Sequence, residues 1–287
     1  METADLLKKV RKIEIKTRGL TNNIFAGEYH TAFKGRGMAF SEVREYQYGD
    51  SIRDIDWNVT ARFNKPFVKV FEEERELTVM LVIDISGSRN FGTTKALKKD
   101  IITEVAAVIS FSAIQNNDKI GVLLFSDKIE MYIPPAKGKK HILRIIRELL
   151  EFQPQSQGTN IAEALRHLTN IQKKRCTAFV ISDFIDNTFN DALSIANKKH
   201  DIIALHVYDK RELEIPSMGL VRMKDAETGD EIWIDTTSKS TRAFYAKTAK
   251  ASMEKLNETF KRCGVDVARI PTDGDYIVSL MNLFKSR

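Results

Sequence analysis

Leu77-Thr-Val-Met-Leu-Val-Ile83, an apolar run of strand length, passes directly into Asp84-Ile-Ser86-Gly-Ser88. A short apolar run rich in β-branched residues suits a buried strand, so the Asp84 carboxylate and the Ser86 and Ser88 hydroxyls emerge where that strand ends. Three hard oxygen donors at alternating positions of one turn suit Mg²⁺ or Mn²⁺, which prefer carboxylate, hydroxyl and water oxygens to nitrogen or sulfur. In an open α/β sheet, the crevice outside the carboxyl ends of the strands is also the usual ligand position.

Downstream of this run, strand and helix patterns alternate. A helix is expected from about Lys95 to Asn116, with Leu97, Ile101, Val105 and Val108 on one stripe. Strands are expected at Lys119–Phe125 and Ile129–Ile133, with Pro134-Pro135 breaking the chain after the second. Helices at about 139–152 and 160–172 lead to the apolar strand Thr177–Ser182. A helix near Asn190–Lys199, a strand at Asp201–Tyr208, a hairpin turning at Glu227-Thr-Gly-Asp230, a long helix at Lys239–Cys263, a strand at Val265–Arg269 and a last helix from Tyr276 complete the order. Strands alternating with helices of ten or more residues imply an α/β, Rossmann-like architecture: a mostly parallel central sheet with helices on both faces, plus a β-hairpin insertion.

The first 75 residues differ. They are rich in Arg, Gly and aromatic residues, with little periodicity after about Lys16, and predict a looped N-terminal extension packed on a main domain of residues 76–287. Within the extension Met1–Lys16 suits a helix and Phe67-Val-Lys-Val-Phe71 a short strand. Between Arg44 and Arg62 three arginines alternate with Glu45, Asp50, Asp54 and Asp56 around Tyr46, Tyr48 and Trp57, a composition for ion pairs pinned by buried rings. A second cation site at Asp50, Asp54 and Asp56 is disfavoured because the neighbouring arginines would compete for those carboxylates.

The chain has 287 residues, 43% hydrophobic and 29% charged, a composition for a folded globular protein. No apolar stretch approaches the roughly 18 to 20 residues of a membrane span, and the charged Met1–Lys16 is unlike a signal peptide, so a cytoplasmic location is expected. Cys176 and Cys263 form no CxxC pair and are expected to be reduced thiols. Lys and Arg exceed Asp and Glu by 45 to 39, but the excess is spread along the chain rather than gathered into a basic patch, which argues against a nucleic-acid binder. The five histidines, His30, His141, His167, His200 and His206, lack metal-ligand spacing. Gly35-Arg-Gly37 lacks the strand and helix that flank a phosphate loop, and Lys137-Gly-Lys-Lys140 suits a solvated helix start.

Two later loops should reach the sheet end that carries Asp84. Gly158-Thr159-Asn160 precedes a helix, where Thr or Asn would act as cap and offer a hydroxyl, and Ser182-Asp183-Phe184 follows the strand Ala178-Phe-Val-Ile181. The set Asp84, Ser86, Ser88, Thr159 and Asp183 resembles the metal-ion-dependent adhesion site of the von Willebrand factor type A domain: DxSxS, then a distant Thr and a distant Asp. That resemblance implies a divalent cation, Mg²⁺ or Mn²⁺, held directly by the serines and the threonine, with the aspartates binding it directly or through water. One coordination position is left for an acidic side chain of a partner protein. The competing reading of the same five residues is helix capping and an ordinary strand end.

A second resemblance runs through Gly35-Arg-Gly-Met-Ala-Phe40, Arg44-Glu-Tyr46, Gly49-Asp50, Arg53-Asp-Ile-Asp-Trp57, Thr60-Ala-Arg62 and Glu72-Glu-Glu-Arg75. It continues at Phe125-Ser126, Pro134-Pro135, Gly158-Thr159, Ser182-Asp183-Phe184, Thr272-Asp273 and Asp275-Tyr276, and is similar to the bacterial family termed domain of unknown function 58. Members of that family are commonly encoded beside MoxR-type AAA+ ATPases, with a joint role proposed in assembly or maturation of protein complexes. The resemblances together imply a non-catalytic, metal-dependent protein-interaction module working with such an ATPase. A metal-dependent hydrolase or phosphatase is the alternative, since an Asp ending a first strand beside a metal can act as a nucleophile. Against it, the acid/base Asp that haloacid dehalogenase-type phosphatases carry two positions later is here Ser86. A nucleic-acid-associated protein is the third class; the acids among the arginines of 44–62 would repel phosphate.

Overall fold

The computed structural model describes residues 38–73, 77–92, 97–186, 188–224 and 229–287, together with Arg11 and Ile13. Both isolated residues are helical; the rest of the expected Met1–Lys16 helix, His30 and Gly35-Arg-Gly37 lie outside the described residues. The chain divides into two compact units, one within Phe33–Leu77 and one carrying Thr78–Arg287.

The smaller unit is more ordered than its composition suggests. Strand β1 (Met38–Glu45) pairs antiparallel with β2 (Phe67–Glu73), with a register shift between Phe40 and Glu42. Between them lie a 3₁₀ turn at Ile52–Asp54 and helix α1 (Trp57–Phe63). The Asp56 carboxylate starts α1 by accepting from the amides of Asn58 and Val59, and Asn64 ends it in the left-handed region at φ 53°. Arg44 grips Asp50 with both terminal nitrogens, at 2.8 and 2.7 Å. The Arg44 hydrogen bonds, then the Gln47 amide, hold the Asp50 carboxyl below its usual range. Asp50 is thus engaged by Arg44 and Asp56 by the start of α1. The expected buried rings are a misreading: Tyr48 and Trp57 are exposed, and Tyr46 is half-buried. Polar hydrogen bonding, rather than aromatic packing, shapes this segment.

In the larger unit, β3 (Thr78–Asp84) is buried at every residue after Thr78, as a central strand covered on both faces must be. Helix α2 (Lys98–Gln115) returns the chain to β4 (Lys119–Phe125), parallel to β3, and β5 (Ile129–Ala136) folds back antiparallel on β4. Helices α3 (Lys139–Glu151) and α4 (Ile161–Ile171) cross to β6 (Thr177–Ser182), on the other side of β3. Then α5 (Asn190–Lys199) leads to β7 (Asp201–Tyr208). The hairpin β8 (Leu220–Lys224) and β9 (Glu231–Asp235) precedes α6 (Lys239–Cys263), β10 (Asp266–Pro271) and α7 (Tyr276–Lys285). The six-stranded sheet runs β10-β7-β6-β3-β4-β5, parallel except for the edge strand β5. Counted from β3 this is the doubly wound order 3-2-1-4-5-6, whose switch point lies between β3 and β6.

One face of the sheet packs Met80, Val82, Ala178 and Val180 against residues of α4, α5 and α6 in a single apolar cluster. On the opposite face Phe179 meets Phe284 of α7 edge-on at 6.5 Å, and α2 packs against α3. Two expectations fail locally. Pro134 and Pro135 do not end β5 but lie within it, at the register irregularity opposite Ile120 and Val122, where an edge strand's ladder lapses and their missing amide donors are tolerated. Leu97 is 41% exposed and precedes α2 rather than joining its buried stripe with Ile101, Val105 and Val108. No helix among the described residues is long and apolar enough to cross a membrane.

Candidate functional site at the switch point

Because β3 and β6 run parallel with Ile83 opposite Ile181, the next residues, Asp84 and Ser182, leave the sheet side by side, and Asp183 follows. Asp84 is only 3% exposed, although sequence places it at a loop. Its Oδ1 accepts from the Ser86 amide at 2.9 Å and its Oδ2 from the Ser182 hydroxyl at 2.6 Å. Ser182 Oγ in turn accepts from the Phe184 amide. The turn formed by Asp84 and Ser86 brings the Ser86 and Ser88 hydroxyls within 3.1 Å of each other. Ser86 opens a 3₁₀ turn at Gly87–Asn90 without capping it through its side chain.

The Thr159 segment is tied to both neighbouring loops. The Gly87 amide donates to Gln157 O at 2.9 Å, and the Ile161 amide donates to Asp186 Oδ2 at 3.1 Å. Thr159 is thereby bracketed between the DxSxS loop and the loop after β6, and it is half-buried. Asn160, not Thr159, caps α4 by accepting from the Glu163 amide. Asp84, Ser86, Ser88 and Asp183 are brought to one end of the sheet, with the Thr159 backbone held beside them.

Burial, reinforced by the negative charge of Asp183, pushes the Asp84 carboxyl up to about 7 against the opposing hydrogen bonds from Ser182 and Ser86. A buried carboxyl whose charge is disfavoured by a neighbouring carboxylate forms a place where a divalent cation would relieve repulsion. Among the described residues no three His, Cys, Asp or Glu side chains group as metal ligands, so a cation here would depend on hydroxyls as well as carboxylates. The donor set meets that condition, being entirely hard oxygen.

Three side chains that the sequence does not single out complete the site. Ser182 holds Asp84, as above. Lys98, at the start of α2, is 1% exposed; its Nζ lies 2.9 Å from Asp183 Oδ2 and 2.5 Å from Glu212 Oε1. Burial opposes the ammonium charge, but Asp183 and Glu212 together outweigh it and raise the Lys98 pKa. Arg89, also buried, donates to Phe152 O at 2.7 Å and lies within the field of Asp84. Signals for Lys98 and Arg89 are weak, because a basic residue at a helix start or in a turn reads as solvated.

Beside Asp183 opens a cavity of about 540 Å³, walled by Phe184, Phe189, Tyr245, Met253 and Leu256, with Glu212 on its lining. Phe184 is buried with φ 54°, an uncommon backbone conformation for a bulky residue, and packs edge-on against Phe260 at 5.1 Å. His206 is buried near Asp183; burial lowers its pKa to about 4, leaving the imidazole neutral. Cys176 and Cys263 are free thiols. His141 donates through Nε2 to Ile120 O at 2.8 Å, a structural contact.

A doubly wound α/β unit with paired carboxylates and serine hydroxyls at its switch point defines the class of this protein. Residues 42–255 match the family described as "Protein of unknown function DUF58", and the chain belongs to that family. It is 30% identical over 288 residues to the uncharacterized protein Rv1480 of Mycobacterium tuberculosis, covering 98% of this chain and 90% of that protein. Among solved structures it is similar to the conserved hypothetical protein BatB of Bacteroides thetaiotaomicron, with 17% identity, a TM-score of 0.47, and coverage of 73% of this chain and 98% of that one. It is also similar to the SpRpn10 VWA domain, with 11% identity, a TM-score of 0.38, and coverage of 74% and 95%.

Proposed function

We propose that the chain is a non-catalytic protein-interaction module of von Willebrand factor type A kind, whose contact with its partner passes through a divalent cation. The observation that carries this reading is the meeting of Asp84 and Asp183, both buried, with the paired Ser86 and Ser88 hydroxyls. Ser86, Ser88 and Thr159 would hold Mg²⁺, or Mn²⁺, with Asp84 and Asp183 supplying charge; the cation would supply a strong, directional attraction for an acidic side chain of the partner. The apolar cavity beside Asp183 supports the reading by offering a surface for neighbouring partner residues.

The family resemblance extends the proposal to a MoxR-type AAA+ ATPase, or a protein it remodels, as the partner, and to a cytoplasmic location. A hydrolase reading lacks a base: the position two after Asp84 is Ser86, and the nearby His206 is buried. The test is a pull-down with tagged protein in Mg²⁺ and in EDTA, repeated with Asp84→Ala. A partner lost on both treatments supports the proposal. An ATPase retained equally under both would remove the metal from it, and no association at all would remove the partner.

A further inference from the structure

We propose that Lys98 is a tethered cation that competes with a divalent ion for Asp183, and that Glu212 keeps the ammonium when the ion binds. This rests on the metal-site reading above and concerns how that site is controlled. Lys98 is fixed at its backbone, where its amide donates to Phe91 O at 2.9 Å, so its ammonium is delivered to the site by the element that follows the DxSxS loop. It has two carboxylate partners, and they are not held alike. Glu212 is anchored: its second oxygen, Oε2, accepts from the Asp209 amide at 2.9 Å within a capping box. Asp183 is anchored less firmly, since among the described residues its Oδ1 is approached only by the Ile185 amide at 3.5 Å, the outer limit of a hydrogen bond. Asp183 is therefore the carboxylate that can be exchanged and Glu212 the one that stays.

Charge counting gives the same assignment. With a divalent ion bound, Asp84, Asp183 and Glu212 carry three negative charges, with Lys98 and Arg89 supplying two positive ones. A divalent ion shared by Asp84 and Asp183 balances those two carboxylates and leaves Lys98 to balance Glu212. With Arg89 counted, the loaded site then holds one excess positive charge, which an incoming carboxylate would neutralise. While Lys98 remains on Asp183, the incoming ion faces a cation already seated on one of its two anionic ligands.

The competition is measured by Mn²⁺ titration, following the free-ion electron paramagnetic resonance signal, for wild type, Lys98→Met, Glu212→Gln and the double variant. Circular dichroism checks each fold. Lys98→Met is expected to bind Mn²⁺ at least about tenfold more tightly, the factor corresponding to roughly 1.4 kcal/mol. Glu212→Gln is expected to bind about tenfold more weakly, because Lys98 then has Asp183 alone. The double variant should match Lys98→Met, since without the ammonium Glu212 has no influence to exert. Unchanged or weaker binding by folded Lys98→Met overturns the inference, as does a Glu212→Gln loss of equal size in the Lys98→Met background. If Lys98→Met does not fold, unchanged binding by Glu212→Gln overturns it. Binding by Lys98→Met where wild type binds none supports it. Absence of binding in all four overturns the metal-site reading with it, and so does wild-type binding that survives Ser86→Ala and Asp84→Ala. Wild-type binding that those two abolish but Lys98→Met leaves unchanged removes the tethered cation alone.

Discussion

Replacing Asp84 by asparagine separates the two consequences of its burial. The variant keeps an oxygen for the Ser86 amide but removes one of two crowded negative charges. In EDTA it should be more stable than wild type by about 1–3 kcal/mol, because a buried carboxylate beside another is costly without a cation. In millimolar Mg²⁺ the order should narrow or reverse, since only wild type gains from binding; thermal melts in the two buffers decide. Calorimetry should find Mg²⁺ binding abolished in Asp84→Ala and reduced less in Ser86→Ala or Ser88→Ala, where water can replace a neutral ligand. A different residue sets an acid limit on stability. His200 is buried, and burial, then Lys199 and Arg175, lowers its pKa to about 4. The unfolded imidazole titrates near 6.5, so the folded state binds fewer protons and loses stability as pH falls from about 6.5 towards 4, by about 2 kcal/mol at pH 5. Urea unfolding of His200→Gln at pH 7 and pH 5 should show a smaller pH difference than wild type; an equal difference would assign the loss elsewhere. At this scale DxSxS was legible because it interrupts an apolar run. Lys98 was not, because its burial is set by Asp183 and Glu212, 85 and 114 residues away.

Among the elements, the central strands were legible for a reason that the edge does not share. β3 and β6 are covered on both faces, so their sequence is continuously apolar and their ends fall where polarity resumes. β5 is an edge strand with a register irregularity at its prolines, and together these allow both to stay in strand conformation and hide its true end. The close approach that joins β5 to β4 was hidden too, because it depends on what a glycine lacks. A Cβ at Gly121 would lie 2.8 Å from Met80 Sδ, 2.9 Å from Ile133 O and 2.9 Å from Pro135 N. Two of these neighbours are backbone, at a register irregularity between Ile120 and Val122, and cannot swing aside. Gly121→Ala should therefore cost about 1–3 kcal/mol, the range for overpacking a fitted interior. Chemical denaturation would show it as a lower midpoint with unchanged slope, and a stability equal to wild type would mean that β5 shifts freely on β4.

For the whole molecule, what the N-terminal 75 residues bury decides whether they fold by themselves. Within Phe33–Leu77, Val68 is the one buried hydrophobic residue among those whose burial is described, while Tyr48, Ile52, Trp57 and Phe63 are exposed. The contacts that order the segment are hydrogen bonds and ion pairs at its surface: Arg44 to Asp50, Lys69 to Asp56 and Lys65 to Glu45. Exposed ion pairs contribute little each, typically under about 1 kcal/mol, and a segment of this size buries too little apolar area to offset its conformational entropy. The doubly wound unit, by contrast, has a large apolar cluster on one face of its sheet and buries the apolar residues of β3, β4, β6 and β7 almost completely. The sequence distinguished the two regions by periodicity but missed β1 and α1, whose boundaries are set by β1–β2 pairing and the Asp56 cap rather than by an apolar stripe. From this follows an expectation for separated pieces. Residues 33–77 expressed alone should give the circular dichroism of an unfolded chain, and limited proteolysis of the full chain should not release a stable folded fragment ending near Arg75. Release of such a fragment, with native dichroism and a cooperative melt of its own, would show that the segment is an independent domain and that its polar network suffices to fold it.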